Sequence, residues 1–491
     1  MSLREFIEVL RREGELEVVT APVDPWLEMA EIADRASKAG GPALLFERPV
    51  AALDASAPRA ANAHRLTGPS LPVLMNQFGS YRRLELALGA PLEDLAARIA
   101  ELVDLQVPKG LVGKVRALGQ LRELASYAPK IVSKAAFREI VVDPPDLGLL
   151  PVLTTWPADG GPFVTLPVCV TKDREGRRNA GMYRLQVYDA RTTGMHWHVH
   201  HDGAANFREA DGRLEVAVAL GTDPAVTYAA TAPLPAGIDE FMFAGFLRGK
   251  PVELAACATV DLEVPADSEI VLEGYVDKAE TRREGPFGDH TGYYSLADEY
   301  PVFHLTAMSM RRDAVYPATI VGRPPMEDCF LGKATERLFL PLLRLTLPEI
   351  VDLELPIEGV FHDCAIVSIR KAYAGHARKV MSAVWGMGQM MFTKFVVVVD
   401  EHVDVHDPRE VAWRVFNNVD PRRDTMIVDG PLDALDHSSP TAGYGAKMGI
   451  DATRAWPDEG HPRPWPDELA MDPVVKARVD ERWDELGLSF R

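Results

Sequence analysis

The chain has 491 residues, of which 47% are hydrophobic and 25% are charged, proportions typical of ordinary globular proteins. At roughly 150 residues per domain, this length predicts about three domains. The formal net charge of −19 excludes a global basic field that could hold nucleic acid, so a phosphate must be bound by a local device such as a metal ion or a lysine.

The four cysteines are widely spaced and form no CxxC pair, which argues against a zinc knuckle or a disulfide framework. The N-terminal stretch is acidic and amphipathic rather than typical of a signal peptide. No apolar run approaches the roughly 20 residues that a membrane span needs. We therefore expect a soluble, cytoplasmic protein without a nucleic-acid partner.

The first part of the chain alternates predicted helices and strands. Ser2 and Glu5 form a capping box ahead of apolar residues at helical spacing, and Gly14 is placed to end that helix. Further elements are predicted at Leu16–Val19 (strand), Trp26–Lys38 (helix), Pro42–Phe46 (strand), Leu92–Val107 (helix) and Lys114–Pro129 (helix). The alternation predicts an α/β layer.

From about residue 138 to 320, short β-rich runs dominate, separated by Gly, Pro, Asp and Asn. This spacing is typical of an antiparallel barrel or sandwich. Later the alternation returns, with helices predicted at Arg337–Leu345, Gly375–Met390 and Val474–Leu486 and a buried strand at Lys394–Asp400. The last third is therefore predicted to be α/β again.

The densest polar cluster is MHWHVHHD at residues 195–202. On a strand, His196, His198 and His200 would share one face, and three imidazoles on one face are typical of a transition-metal site. Alternatively, some of them are core or stacking histidines bonded to the backbone. Because no second metal motif lies nearby, the pattern favours one histidine that binds a metal beside oxygen ligands.

A second cluster is EGPFGDHTG at residues 284–292. The Gly-Pro-Phe-Gly between Glu284 and Asp289 predicts a turn, which could aim both carboxylates into one cleft for acid/base chemistry. A Gly-rich turn with exposed acids is the ordinary alternative. The third candidate, GYGAKMG at 443–449, lacks the Ser or Thr of a P-loop. A tight loop is predicted there, with phosphate binding as the open alternative.

Together these motifs resemble the UbiD family of decarboxylases, which depend on prenylated FMN. The resemblance covers almost the whole chain and looks closest to the branch that acts on prenylated 4-hydroxybenzoate in ubiquinone biosynthesis. It rests on LREFIEVLRREGELEVVTAPVDP (3–25), IADRASKAGGPALLFERP (32–49), NAGMYR (179–184), MHWHVHHDGA (195–204), EGPFGDHTGYY (284–294), VGRPP (321–325), TKFVVVVD (393–400) and GYGAKMGIDAT (443–453).

The resemblance implies an α/β multidomain fold. Its parts would be an N-terminal α/β domain at residues 1–130, a central split β-barrel that binds prenyl-FMN at 131–325, and a C-terminal α/β domain at 326–491 used in oligomerisation. Relatives form homodimers or homohexamers, and a flavin prenyltransferase supplies their cofactor.

The family also implies which residues hold the cofactor. Asn179, His200 and Glu240 would bind a divalent cation, typically Mn²⁺, that bridges to the flavin phosphate, with K⁺ nearby. Lys394 would add a positive charge on that phosphate. The cofactor would be lined by Met182, Tyr183, Arg184, His196, Trp197, His198, His201 and Asp202. At position 201 relatives often carry Arg or Lys.

The implied catalytic residues are Arg184, Glu284 and Asp289. Arg184 would pair with the substrate carboxylate, and Glu284 would orient it. Asp289 would return a proton to carbon after CO₂ leaves, a role that a pKa raised by burial and by Glu284 would suit. The flavin would form a covalent adduct with the acid and act as the electron sink. Aspartate at 289 fits the hydroxybenzoate branch better than the aryl-acrylate branch.

The leading hypothesis is thus a carboxy-lyase that reversibly decarboxylates an aromatic, hydroxybenzoate-like acid without oxidation. A polyprenylated substrate would bring the protein into peripheral contact with membranes. Alternatives within the family are a naphthoate and a small phenolic or unsaturated acid. Other classes are a zinc hydrolase or metal-dependent decarboxylase built on the histidine cluster, and an inactive flavin-binding subunit. The presence of all three catalytic residue types argues against the last.

Overall fold

The computed structural model describes residues 1–50, 66, 71–103, 122–198, 201–235 and 237–488. His200 and the first half of the helix predicted at Lys114–Pro129 lie outside these residues, as does the end of the helix predicted at Leu92–Val107, whereas residues 122–126 are helical as predicted. In the part of the chain that is described, no helix combines the length and apolar character needed to cross a bilayer.

The N-terminal part forms the predicted α/β layer. Ser2 Oγ accepts a hydrogen bond from the Glu5 backbone N–H, and the Ser2 N–H donates to the Glu5 carboxylate, so the capping box is confirmed. Helices lie at Leu3–Arg12 (α1), Glu28–Lys38 (α2), Tyr81–Leu88 (α3) and Leu92–Val103 (α4), and strands at Leu16–Val19 (β1), Ala43–Phe46 (β2) and Val73–Met75 (β3).

The central part is dominated by strands. They lie at Lys130–Ile131 (β4), Ile140–Val142 (β5), Phe163–Val164 (β6), Val168–Lys172 (β7), Arg178–Met182 (β8), Leu185–Gln186 (β9), Thr192–Gly194 (β10), Arg213–Leu220 (β11), Glu253–Ala256 (β12), Glu263–Pro265 (β13), Ile270–Glu284 (β14), Asp298–Met310 (β15) and Tyr316–Pro317 (β16). Helices lie at Asp202–Glu209 (α5), Pro224–Ala229 (α6) and Glu240–Arg248 (α7).

Seven of these strands form an antiparallel sheet in the order β10-β15-β14-β11-β7-β8, with β5 paired to β15. Within the described ranges this sheet stays open and does not close into a barrel. The sheet joins the N-terminal layer through β16, which pairs with β3 in parallel, and through a shared core that includes Phe46, Met75, Leu272 and Phe303.

The C-terminal part is a mixed sheet flanked by helices. Helices lie at Glu327–Thr346 (α8), His376–Trp385 (α9), Pro408–Asn418 (α10) and Pro473–Glu481 (α11), and strands at Ile350–Glu354 (β17), Cys364–Ile369 (β18), Phe395–Asp400 (β19), Thr425–Pro431 (β20) and Tyr444–Asp451 (β21). The sheet order is β17-β18-β19-β21-β20. The predicted α/β multidomain fold class is confirmed.

The tight loop predicted for GYGAKMG is wrong, because this segment forms the start of β21. It pairs in parallel with β19 and antiparallel with β20, and the Lys447 side chain turns inward to the Met391 carbonyl oxygen. The glycines that suggested a loop instead allow close packing. A Cβ at Gly449 would lie 2.5 Å from Met381 Sδ.

The longest strand pair, β14 and β15, shifts its pairing register twice, between Glu273 and Gly274 and between Val276 and Thr281. The first shift lies at a glycine. A Cβ at Gly274 would lie 1.9 Å from the carbonyl oxygen of His304 on the partner strand, so only glycine permits this approach. Ten residues further along, the same strand ends at Glu284.

We expect Gly274→Ala to destabilise the protein by at least the roughly 1–3 kcal/mol typical of an overpacked site, because the clash is with backbone rather than with a flexible side chain. Thermal melting measures the effect. Gly386→Ala is the matched control, since its added Cβ would meet nothing closer than 3.5 Å at a φ of −98°. Equal melting temperatures for the two variants would contradict the role assigned to Gly274.

Candidate active site

Arg184 lies between β8, which ends at Met182, and β9, which begins at Leu185. Only 11% of its side chain is exposed. Its Nε donates to Glu284 Oε1 at 2.9 Å, and its Nη1 donates to Asp289 Oδ2. The guanidinium thus bridges the two carboxylates of the second motif.

The turn predicted between these carboxylates is present and aims both of them at Arg184. Glu284 is the last residue of β14, and Gly285 turns the chain with φ +91°. The backbone N–H of Gly288 donates to Asp159 Oδ1 at 2.8 Å, which anchors the turn. The cleft-directed reading of this motif is therefore correct, and the exposed-acid alternative is wrong, because Glu284 and Asp289 are 0% and 6% exposed.

The pKa values of these two acids are shifted downward. Burial raises the pKa of Glu284, but the hydrogen bond from His196 and the charge of Arg184 outweigh it and hold the pKa at about 2. Burial also raises the pKa of Asp289, yet hydrogen bonds and charge from His290, together with Arg184, hold it well below its ordinary value. The raised pKa expected for Asp289 is thus wrong, because Arg184 and His290 both face this carboxylate and favour its ionised form.

His196, which is buried, and His198, which is half-buried, form a close pair rather than one face of a strand. Residues 195–198 have no strand structure. His196 Nδ1 lies 3.0 Å from Glu284 Oε2, and its Nε2 lies 2.9 Å from His198 Nε2. Burial lowers the pKa of both rings, that of His198 to about 4. Both rings are therefore neutral at pH 7, and His196 uses both of its nitrogens inside the protein.

Asn179 and Glu240 come near each other through Ala180, the residue that follows Asn179. Glu240 begins α7, and its Oε2 accepts a hydrogen bond from the backbone N–H of Ala180 at 3.0 Å. Burial, with further contributions from Asp239 and other acids, raises the pKa of Glu240 to about 7. It forms no ion pair with any described residue. A carboxylate and an amide oxygen without a cation are ligands that suit a hard divalent metal.

The other residues predicted to line the cofactor gather around Tyr183. The Tyr183 hydroxyl accepts hydrogen bonds from Asn179 Nδ2 and Gly203 N, each at 3.4 Å, and its ring lies 5.0 Å from that of His201. Met182 ends β8, and Asp202 begins α5. Trp197 Nε1 is buried without a hydrogen-bond partner in the described part of the chain, so this cradle retains an unused donor that fits a polar ligand.

The side-chain contacts of Lys394 are with residues of the C-terminal part and not with these groups. It directly precedes β19, and its Nζ pairs with Asp436 Oδ2 at 2.9 Å and also contacts Ser438 Oγ. Among the described residues, none of its hydrogen bonds or ion pairs reaches another predicted site residue. Its predicted contact with a phosphate stays a prediction.

Phe287, Ser295 and His362 lie near this site and were not predicted to serve it, whereas His290 is the alternative proton donor should Asp289 not fill that role. Ser295 Oγ accepts from Arg184 Nη2 at 3.3 Å, and the Phe287 ring lies 4.5 Å from the guanidinium. His290 Nδ1 lies 2.9 Å from Asp289 Oδ1, and His290 Nε2 lies 2.7 Å from His362 Nε2. The motif itself contained the signal for Phe287 and His290, whereas nothing in the sequence pointed to His362.

A zinc site gains no support from the described residues. The one group with metal-like spacing there is Glu336, Glu354 and His406 in the C-terminal part. Lys333 Nζ pairs with both of these glutamates, so the group is a neutralised ion-pair network, distinct from the histidine cluster that suggested zinc.

Sequence profiles of one family match the chain along most of its length. They are the N-terminal, Rift-related and C-terminal domains of 3-octaprenyl-4-hydroxybenzoate carboxy-lyase, at residues 7–103, 130–324 and 329–452. An uncharacterized protein of Archaeoglobus fulgidus is 51% identical over 99% of this chain and 98% of its own length.

Solved structures agree. The vanillic acid decarboxylase of Sedimentibacter hydroxybenzoicus is 28% identical and matches 99% of this chain and 98% of its own, with a TM-score of 0.82 for its closed form and 0.77 for its open form. HmfF of Pelotomaculum thermopropionicum, a UbiD-class enzyme solved with FMN, is 31% identical over 98% of this chain and all of its own, with a TM-score of 0.78.

An evolved dimeric form of HmfF is solved with prFMN and is 30% identical, covering 97% of this chain and 98% of its own, with a TM-score of 0.76. The profile matches, the near-complete structural overlap and the buried arginine between two acids all point the same way. The chain belongs to the UbiD family of carboxy-lyases.

Proposed function

We propose that the protein decarboxylates an aromatic, hydroxybenzoate-like carboxylic acid with prenylated FMN as cofactor. The observation that carries the proposal is the buried arginine held between Glu284 and Asp289. A carboxylate substrate needs a cation to hold it and an acid to replace its lost CO₂ with a proton. These three side chains supply both in one enclosed place.

In this proposal Arg184 binds the substrate carboxylate through the guanidinium edge that faces Asp289. Glu284 keeps the guanidinium in place, because it is bonded to Nε and is itself fixed by His196. Charge-assisted hydrogen bonds of this kind give both orientation and strength. Asp289, released from Arg184, is then the group that returns the proton to carbon.

The cofactor would be held by residues of the same cradle. When bound, prenylated FMN supplies the electron sink for the carbanion chemistry. Asn179 and Glu240, with His200, would hold a divalent cation, proposed to be Mn²⁺, against the flavin phosphate, and a K⁺ ion would lie nearby. Tyr183, Trp197, His201 and their neighbours would contact the flavin.

The relatives support the substrate class. The family takes its description from a hydroxybenzoate carboxy-lyase, and the Sedimentibacter relative is a decarboxylase of vanillic acid, a phenolic acid. The aspartate at position 289 points the same way by its resemblance to the hydroxybenzoate branch. Within this class, a polyprenylated hydroxybenzoate is the narrowest substrate that the proposal includes.

The proposal is tested by producing the protein together with a flavin prenyltransferase. The visible spectrum and the mass of the bound cofactor establish whether prenylated FMN is present. CO₂ release is then measured with vanillate, 4-hydroxybenzoate, its polyprenylated form and a naphthoate. We expect turnover of at least one phenolic acid; turnover of none of the four by protein that carries prenylated FMN would contradict the proposal.

Replacing Glu240 with Gln should sharply reduce both metal content and flavin occupancy, because the change keeps the side-chain size but removes the charge that attracts the cation. Metal analysis and flavin absorbance per protein measure the two losses. His198→Ala is the control, since we expect His198 not to bind the metal. Full metal and flavin content in Glu240→Gln, or loss of the metal in folded His198→Ala, would contradict this assignment.

Replacing Asp289 with Asn should lower turnover by the roughly 10²–10⁴-fold typical of losing a positioned acid or base. Flavin occupancy should be unchanged, because the proposed phosphate contacts lie elsewhere. Exchange of the product's ring hydrogen in D₂O should fall in parallel with turnover, since it would use the same acid. Near-normal turnover and exchange in this variant would assign the proton to another group.

A further inference from the structure

We propose that His290 stores the proton that Asp289 delivers, and that His362 is the positioning residue that holds His290 in its protonated form. The delivery part rests on the proposed function, whereas the charge of His290 does not. A chain of hydrogen bonds extends from Asp289, on the side away from Arg184, through His290 to His362.

The two oxygens of Asp289 face different cations. Oδ2 accepts from Arg184 Nη1, and Oδ1 accepts from the backbone N–H of His290 at 2.9 Å and lies 2.9 Å from its ring Nδ1. An ionised carboxylate can only accept hydrogen bonds. The Nδ1 of His290 must therefore carry a proton.

The other nitrogen of His290 faces His362. The two Nε2 atoms lie 2.7 Å apart, and a contact of this length between ring nitrogens contains one proton, donated by one ring and accepted by the other. If His290 is the donor, it carries two N–H groups and a full positive charge. His362 is then the neutral acceptor.

The charges around His290 place the shared proton on it. Three acidic groups from separate parts of the chain favour a positive charge on it: Asp289 in its own loop, Asp328 at the start of α8, and Asp433 after β20. Burial alone would lower the pKa of His290, but the hydrogen bond to Asp289 and these charges raise it to about 9. The opposing cation, Arg184, lies beyond the Asp289 carboxylate.

His362 comes from a different part of the chain. Its loop belongs to the C-terminal family domain, whereas Asp289 and His290 belong to the Rift-related domain. The loop holds Val360 and Phe361 in the left-handed region, at φ 43° and 53°, and such conformations persist where the surrounding structure imposes them. The Phe361 ring stacks on His290 with centroids 5.3 Å apart.

The surroundings of His362 contain one further charged group, Asp363, whose Oδ1 lies 3.2 Å from His362 Nδ1. Counted for the side chain alone, without the backbone, the exposed fraction rises along the chain of contacts, from 8% for Asp289 to 16% for His290 and 20% for His362. The store is therefore shielded from bulk water but close to it.

When the proton is delivered, the N–H bond at His290 Nδ1 breaks as an O–H bond forms at Asp289 Oδ1. His290 is left neutral, with its Nε2–H still donated to His362. Asp289 then passes the proton to the carbon that lost CO₂. After the product leaves, a proton from water restores the charge on His290, so each carboxylate consumed takes up one proton.

The first test needs no activity. Histidine ring ¹⁵N shifts of the unloaded protein report ring charge, with signals assigned through His290→Gln and His362→Gln. We expect His290 to be charged at pH 7.5 and its titration midpoint to fall by about one to two pH units in His362→Leu, the size expected for losing a hydrogen bond to a charged group. In His362→Gln, whose amide oxygen can still accept, most of the shift should be recovered.

The control is His402→Gln, an exposed histidine of the C-terminal part, which should leave the His290 midpoint unchanged. Melting temperatures show which variants fold, and His362→Gln decides the question if His362→Leu does not. A neutral His290 at pH 7.5, or the same midpoint in every folded His362 variant, would overturn the inference.

The second test uses the protein loaded with cofactor. Activity that requires charged His290 is lost as the pH rises through its pKa, so the basic limb of the kcat profile should move to lower pH in His362→Leu. We expect kcat at pH 8 to fall by about two- to tenfold, the loss of charged His290 that a midpoint lowered by one to two units gives, and KM to change less than twofold. An unchanged kcat profile would overturn the delivery role, whereas absence of turnover in every variant and in the unsubstituted protein would count against the proposed function alone.

Discussion

The positive charge of Arg184 is the feature on which the site depends, because it is carried into a place where water reaches little of the side chain. A buried charge is tolerated only when it is paired and hydrogen-bonded, and removing one partner of such a pair costs about 3–5 kcal/mol. Arg184 has two carboxylate partners, a hydroxyl and an aromatic face. The two acids would together leave an excess negative charge, which a protonated His290 offsets.

Because Arg184 must lie next to both carboxylates to be tolerated in a buried place, the strands that carry these residues must be accurately positioned. Arg184 leaves the sheet at the junction of β8 and β9, whereas Glu284 leaves it at the far end of β14. The two residues are 100 positions apart in the chain. Between them, the two register shifts of β14 against β15 and the anchoring of the following turn by Asp159 position the acids at the arginine.

The site also draws on the C-terminal part of the chain. Gly332 on α8 lets Phe361 approach, since a Cβ there would lie 2.5 Å from Phe361 Cβ, and this contact presents the next residue, His362, to His290. The chain of contacts from Asp289 through His290 to His362 therefore forms only when the two family domains pack together. In the same C-terminal part, Lys394 is paired with Asp436.

What the sequence determined by itself is local. The capping box of α1, the alternation of helices and strands at both ends of the chain, and the turn that brings Glu284 and Asp289 to one cleft all follow from preferences that act over a few neighbouring residues. The motifs were also specific enough to indicate the family. What only the tertiary structure decided involves groups far apart in the chain: the pairing that turns GYGAKMG into a strand, the partner of Lys394, and the contact between His290 and His362 across 72 positions. The direction of the Asp289 pKa belongs with these, because the pKa of a buried acid is determined by the cations that surround it in space, and no local pattern records which cations those will be.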